Sequence, residues 1–341
     1  MNRQSLNLVG LFALGGWITA QAQLPGVIQQ VDSVQQREQL QSAASLMIVS
    51  NAAPEFYPGE TSDVGPQTVV QYPRHTHFEA SVDEQYFYCD NVFLAHSGRQ
   101  SSDILVSTLN FAFTPSPVVF AGGTLSPRIG YQHQWFNYGL TGDQTDTVFD
   151  YQTFRSGEVA ISKFDFNSAM PFIDATWKRG DWTATFGVDA RWLLDSTTFN
   201  EFYHEFVPNW SVGRTFHLSG KASVYVGYQG DYRFSWSFHP PFHYNDQFND
   251  RTDQGVLVAG TWWLCDHAAL QPYYRFQYTC YTTAKRHDRL HSVGVTLLMP
   301  VTPNIILRGF VGYDNMNTDG FFSQNYENLN AGGGLNLSVR F

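Results

Sequence analysis

The 341-residue sequence is short of charge, of lysine and of cysteine. Charged residues make up 15%, where about 25% is ordinary for a soluble domain. Lysine occurs at Lys163, Lys178, Lys221 and Lys285 and nowhere else. With a net charge of −10, the chain lacks the basic surface that nucleic-acid binding requires. Cys89, Cys265 and Cys280 are odd in number, so no complete disulfide framework can form. No CxxC spacing supports a zinc or redox site. After Ala22 no apolar run reaches the ~20 residues that a spanning helix needs.

What is present favours strands. Aromatics reach 16%, with Val, Thr, Asn and Gly abundant beside them. Met1–Ala22 has one basic residue, Arg3, then an apolar stretch from Leu8 to Ala20 and an A-x-A site at Ala20-Gln21-Ala22. This pattern predicts a cleaved secretory signal over residues 1–22. Residues 23–75 read as a Gln- and Pro-rich periplasmic leader. Its Val27–Met47 part, with Gln29, Gln30, Gln35, Gln36, Gln39 and Gln41, predicts a short helix. The part containing Pro54, Pro58, Pro66 and Pro73 predicts an extended linker.

From residue 76 to the end the hydrophobic period is two. In the last segment Leu329, Ala331, Gly333, Leu335, Leu337, Val339 and Phe341 share one face. Asn330, Gly332, Gly334, Asn336, Ser338 and Arg340 share the other. Trp182–Leu194 repeats the pattern, with Trp182, Phe186, Val188 and Trp192 opposite Thr183, Thr185, Asp189 and Arg191. A strand alternates in this way and a helix does not. Trp182 and Trp192 fall about 25 Å apart along a tilted strand, the height of an apolar band between aromatic girdles. Strands are expected at 77–91, 102–114, 123–137, 168–178, 181–195, 202–213, 217–233, 252–264, 269–282, 287–299, 304–315 and 329–341. Short and long connections alternate between them.

In hydrocarbon every backbone N–H and C=O needs a partner within the protein, which only helices and closed barrels provide. With spanning helices excluded, the sequence predicts an all-β fold, a transmembrane antiparallel up-and-down β-barrel over 76–341. About twelve strands are expected. Phe149–Phe166 reads either as an added hairpin, for about fourteen, or as a loop folded into the lumen. The expected location is the outer membrane of a Gram-negative envelope, with outer-membrane lipid as one partner. A closing Phe341 on an amphipathic strand resembles the signal read by the barrel-assembly machinery.

Tyr86–Asp103 reads YFYCDNVFLAHSGRQSSD: Asp-Asn, an apolar pair, a polar loop, then Ser-Asp opening the next strand. That segment resembles the first hairpin of a family of outer-membrane β-barrel porins. Ala53–Gln67 (APEFYPGETSDVGPQ) and Tyr273–Leu297 (YYRFQYTCYTTAKRHDRLHSVGVTL) are similar to members from verrucomicrobial-type bacteria. The resemblance covers most of residues 53–341. It implies a barrel and carries over no substrate or catalytic residue.

The inward rows offer pore-lining candidates: Arg128, Asp174, Asp189, Arg191, Glu205, Lys221, Asp231, Arg233, Arg275, Arg308 and Arg340. In an open pore such opposed charges filter solutes; in a packed lumen they pair and hold the wall rigid. Eight strands give a filled interior and sixteen or more a channel, so twelve leaves both open. Whether a loop or the leader occupies the lumen is open too. His287 and His291 would stand about 13 Å apart on a strand, too far for one metal. Ser292 and His291 point to opposite faces and make no nucleophile–base pair. The sequence therefore predicts no enzyme, cofactor or metal. It predicts passive passage of small polar solutes. The alternative is a structural or adhesive barrel whose loops bind partners with no open pore. Oligomeric state is not readable.

Overall fold

A computed structural model of the protein describes residues 27–38, 76–96, 99–142, 145–150, 155–239, 244–247, 249–320 and 325–341. The segment 1–22, read as a signal, lies outside the described residues, as does most of the leader.

Twelve strands form one antiparallel wall: β1 (Phe78–Cys89), β2 (Ser102–Phe113), β3 (Gly123–Tyr138), β4 (Phe166–Arg179), β5 (Trp182–Asp195), β6 (Glu201–Ser219), β7 (Ala222–His239), β8 (Arg251–Cys265), β9 (Ala268–Tyr281), β10 (His287–Thr302), β11 (Ile305–Thr318) and β12 (Tyr326–Arg340). Each strand pairs with its neighbours in sequence, and β12 pairs with β1 from Glu79↔Arg340 to Cys89↔Asn330. The sheet is therefore a closed up-and-down barrel without an open edge. Phe78 and Phe341 complete the seam, each donating its backbone N–H to the other's carbonyl at 2.9 Å. Their rings stack with centroids 5.7 Å apart.

All twelve expected strands are present, ten of them within three residues of their expected bounds, but β6 runs on to Ser219 instead of ending at 213 and β7 spans Ala222–His239 instead of 217–233. A hairpin forms in this region, but over 145–160 and not over the expected 149–166: Thr145–Asp150 pairs with Arg155–Ala160. It makes a separate two-stranded sheet and is not inserted in the wall, so the barrel count stays at twelve. Two-residue turns join β4 to β5, β6 to β7, β8 to β9 and β10 to β11 at one end of the barrel. The connections after β1, β3, β5, β7, β9 and β11 gather at the other, long-loop end. Both Phe78 and Phe341 lie at the short-turn end.

The alternation sorts side chains between two environments. Ile173, Trp182, Phe186, Leu335, Leu337 and Val339 are exposed on the outer surface, Phe186 at 62%. Among the described residues no second protein layer covers them. A closed wall with aliphatic and aromatic side chains facing outward is built for hydrocarbon. Inward positions of the same strands, such as Arg191, Glu205 and Arg233, are buried.

Glycine in β12 serves packing. Gly332 lies between Phe87 and Phe310 in the sheet register. A Cβ there would stand 2.3 Å from the Tyr86 carbonyl and 2.4 Å from the Phe87 Cβ. Its absence lets the Phe87 and Phe310 rings meet at 5.8 Å.

Candidate functional site

Residues 27–38 form a helix, α1, with the sequence VIQQVDSVQQRE. It holds no Gly or Pro, and four of its twelve residues are Gln, which loses little on entering a helix. Ile28, Val31 and Val34 fall at spacings of three and make one apolar stripe. The stripe is buried against Phe87, Cys89, Ile104, Phe136 and Leu193 on the inner wall. The sequence predicts this helix within the leader and leaves open whether the leader enters the lumen; α1 packs inside the barrel. Gln30, Asp32, Gln35, Gln36, Arg37 and Glu38 each find a partner on the lumen wall.

Gln30 donates from Nε2 to the Val92 carbonyl at 2.7 Å and accepts from the Tyr138 hydroxyl. Both partners lie near the long-loop end. One to two turns further on, Gln35 Oε1 accepts from Arg191 at 2.7 Å and Gln36 Oε1 from Arg275 at 2.6 Å. The Arg37 guanidinium sits 4.7 Å from the ring centroids of both Phe87 and Phe310. Glu38 accepts hydrogen bonds from Thr108 (2.9 Å), Gln132 (2.8 Å), Gln85 (3.3 Å) and Gln134 (3.4 Å). Thus α1 runs about 18 Å from the long-loop end towards mid-barrel. It lies against the inner wall in that half of the lumen.

Asp32 is the centre of its anchorage. The Arg233 fork grips it end-on, with Nη1 to Oδ1 at 3.1 Å and Nη2 to Oδ2 at 3.0 Å. Arg191 Nη1 reaches Oδ1 at 3.1 Å, and Arg251 Nη2 lies 3.7 Å from Oδ2. The same arginines are held from behind. Glu205 accepts from Arg191 at 2.7 Å and Arg233 at 3.3 Å, and its other oxygen takes the Tyr203 hydroxyl at 2.7 Å. Asp253 contacts Arg233 Nε at 3.1 Å and Arg251 Nε at 3.0 Å, while Asp231 contacts Arg233 Nε at 3.3 Å. Burial opposes ionisation of Asp32, but the guanidiniums of Arg233, Arg191 and Arg251 outweigh it and hold its carboxyl well below the usual range. Glu38 behaves oppositely. Burial first, then the nearby Asp83, push its carboxyl up to about 7, against Arg308 and the bonds from Thr108 and Gln132.

The pore-lining candidates separate into groups. Arg191, Glu205, Asp231 and Arg233 converge on the Asp32 cluster. Arg275 meets Gln36, and Arg308 pairs with Asp83. Arg128 and Asp174 pair at 2.7 Å closer to the short-turn end, with Arg128 half-exposed. Asp189 accepts from Asn209 at 2.8 Å. Two candidates lie away from the inner wall. Lys221 is exposed in the turn between β6 and β7, and Arg340 is exposed at the short-turn end, 3.5 Å from Glu79. Trp182 is exposed on the outer face and Trp192 half-buried. Asp32, Arg37, Glu38, Asp83, Arg251 and Asp253 were not among the candidates. The last three sit on inward rows of strands that the alternation identifies, so that signal was present. For the three on α1 no signal in the sequence pointed to the lumen.

The hairpin motif also acquires roles. Asp90 accepts from the Leu329 N–H at 2.6 Å, and buried Asn91 donates to the carbonyls of Ala95 and Glu327, both at 2.8 Å. Ser102 and Asp103 accept from the N–H groups of Gly139 and Thr141 at 3.1 and 3.0 Å. The four residues tie the first long loop to β12 on one side and to the end of β3 on the other.

These features define a class: a membrane-spanning, up-and-down β-barrel of twelve strands that carries its own helix in the lumen. No family model matches the chain and no curated protein matches it, so the porin-family resemblance gains no further support at family level. Solved structures similar to it are outer-membrane barrels. An outer membrane channel from Pseudomonas putida F1 has a TM-score of 0.47 at 10% identity, covering 84% of this chain and 100% of that one. The β domain of the Bordetella autotransporter BrkA has 0.42 at 10%, covering 78% and 100%. The anion-selective porin from Comamonas acidovorans has 0.38 at 9%, covering 78% and 99%.

Proposed function

We propose that the chain is a porin-like barrel of the outer membrane whose lumen is closed by α1 and passes small polar solutes when the helix is displaced. The observation that carries this reading is the chemistry of the α1 seat. Its apolar stripe is short: Ile28, Val31 and Val34 are buried and Val27 is partly buried beside them, and each buried side chain contributes about 1.5–3 kcal/mol. Ordering the segment costs about 1 kcal/mol or more per residue. The polar contacts therefore decide whether the helix stays, and solutes and water can replace polar contacts. The inner wall left behind is lined by Arg, Asp, Glu and Gln, a surface suited to water.

In this reading residues 1–22 direct export and are removed, and Phe341 is presented to the assembly machinery. The barrel acts without a cofactor and is not an enzyme. The structural or adhesive alternative draws on one observation, the anchorage of α1 to the inner wall by Asp32, Gln35 and Gln36: a helix that never leaves makes a rigid scaffold for loops. Swelling of liposomes in an isosmotic neutral sugar separates the two. Slow swelling with the wild type and fast swelling with Asp32→Asn support the gated pore. No swelling with a correctly folded Asp32→Asn barrel supports the scaffold.

A further inference from the structure

We infer that the arginine fork gripping Asp32 is a binding site for the carboxylate group of a solute, and that Asp32 is its intramolecular occupant. This rests on the reading that α1 can leave, and it assigns the class of solute that competes with it. The geometry carries the inference. Arg233 presents both Nη atoms to the two Asp32 oxygens at 3.0 and 3.1 Å, the end-on arrangement that matches a planar carboxylate. Arg191 adds a third donor at 3.1 Å.

These donors are directed and preformed. Glu205 holds Arg191 and Arg233 from behind, and Asp253 takes the Nε atoms of Arg233 and Arg251. When α1 leaves, Glu205, Asp231 and Asp253 still balance the three guanidiniums in number. The lumen-facing pair of Arg233 Nη atoms nevertheless loses its only bidentate acceptor among the described residues. With α1 gone the fork faces a wet lumen, where its two parallel N–H donors match a planar carboxylate better than they match water. A free carboxylate restores the lost bonds; a neutral sugar or a single halide matches the fork poorly. Carboxylated solutes therefore favour the helix-free state and lodge where Asp32 sat.

The test is chemical rescue in the full-length, folded chain. Asp32→Ala should melt several degrees lower than the wild type in chloride. Acetate or succinate at equal ionic strength should restore most of that loss, with no upward shift for the wild type or for Asp32→Ala/Arg233→Gln. Equal shifts in all three proteins, or none in Asp32→Ala, would overturn the site. If Asp32→Ala does not fold, the wild type answers the question. Succinate, competing for the fork, should speed tryptic cutting after Arg37 about tenfold over chloride; no difference overturns the proposal. Conductance read on the same samples keeps the two readings apart. Rescue without conductance removes the pore and leaves the site. Conductance without rescue leaves the pore and removes the site.

Discussion

Asp32 on the luminal helix and Arg233 on β7 meet end-on at 3.0 Å although 201 residues separate them in the chain. This contact joins the segment ahead of the barrel to its wall. Replacing Asp32 with Asn keeps the volume and removes the charge, leaving Arg191, Arg233 and Arg251 around a neutral group. Breaking one partner of a buried ion cluster costs about 3–5 kcal/mol. The docked state of α1 should weaken by an amount of that order. Hydrogen exchange of residues 27–38 should accelerate in Asp32→Asn while the β-strand amides keep their protection.

Docking should also depend on pH through Glu38. Its carboxyl rises from 4.5 to about 7 when the helix is seated, because burial and Asp83 disfavour the charge. The docked state thus binds the proton more tightly than the released state. This contribution is fully present below about 4.5 and is lost as pH rises to about 7. Asp32 works in the other direction, and its stabilisation fades only in strong acid. Exchange of α1 measured from pH 5 to pH 8 should therefore speed up beyond the intrinsic rate as pH rises. Glu38→Gln should flatten that dependence.

Gly332 should tolerate no side chain. A Cβ at 2.3 Å from the Tyr86 carbonyl must push β1 and β12 apart at the seam. Gly332→Val should lower the yield of heat-resistant folded barrel on gel electrophoresis. It should also disturb the Phe87–Phe310 seat of Arg37. A change at the less crowded Gly309, whose nearest neighbour stands at 3.9 Å, should cost much less.

The outer surface makes its own prediction. Phe186 is 62% exposed on the lipid-facing row of β5. Phe186→Arg should destabilise the barrel in lipid vesicles by about 2–4 kcal/mol if it lies near mid-bilayer. Denaturant unfolding in vesicles measures this. A value near zero would mean that the row faces water.

The wall was legible in the sequence because period-two alternation is local: Trp182–Leu194 and Leu329–Arg340 announce their faces without knowledge of their neighbours. The luminal charges were legible as rows for the same reason. Their grouping was not, since Arg191, Arg233 and Arg251 come together only after β5 to β8 are placed side by side. The seat of α1 was the least legible. A helix carrying Val31 and Val34 beside Asp32, Gln35 and Arg37 suits a solvated leader as well as a polar lumen. What selects the lumen is the complementary set on the wall, spread from Gln85 to Arg308. Lys221 misled because the strand was expected to begin at 217, whereas β6 runs on to Ser219 and the turn falls on Gly220 and Lys221.

Single-channel recording in a planar bilayer tests the gated-barrel account most directly. The full-length wild type should stay mostly closed, and Asp32→Asn should show stable open steps of uniform size at the same protein density. A wild type as open as Asp32→Asn, or an Asp32→Asn barrel that folds and never opens, would contradict it.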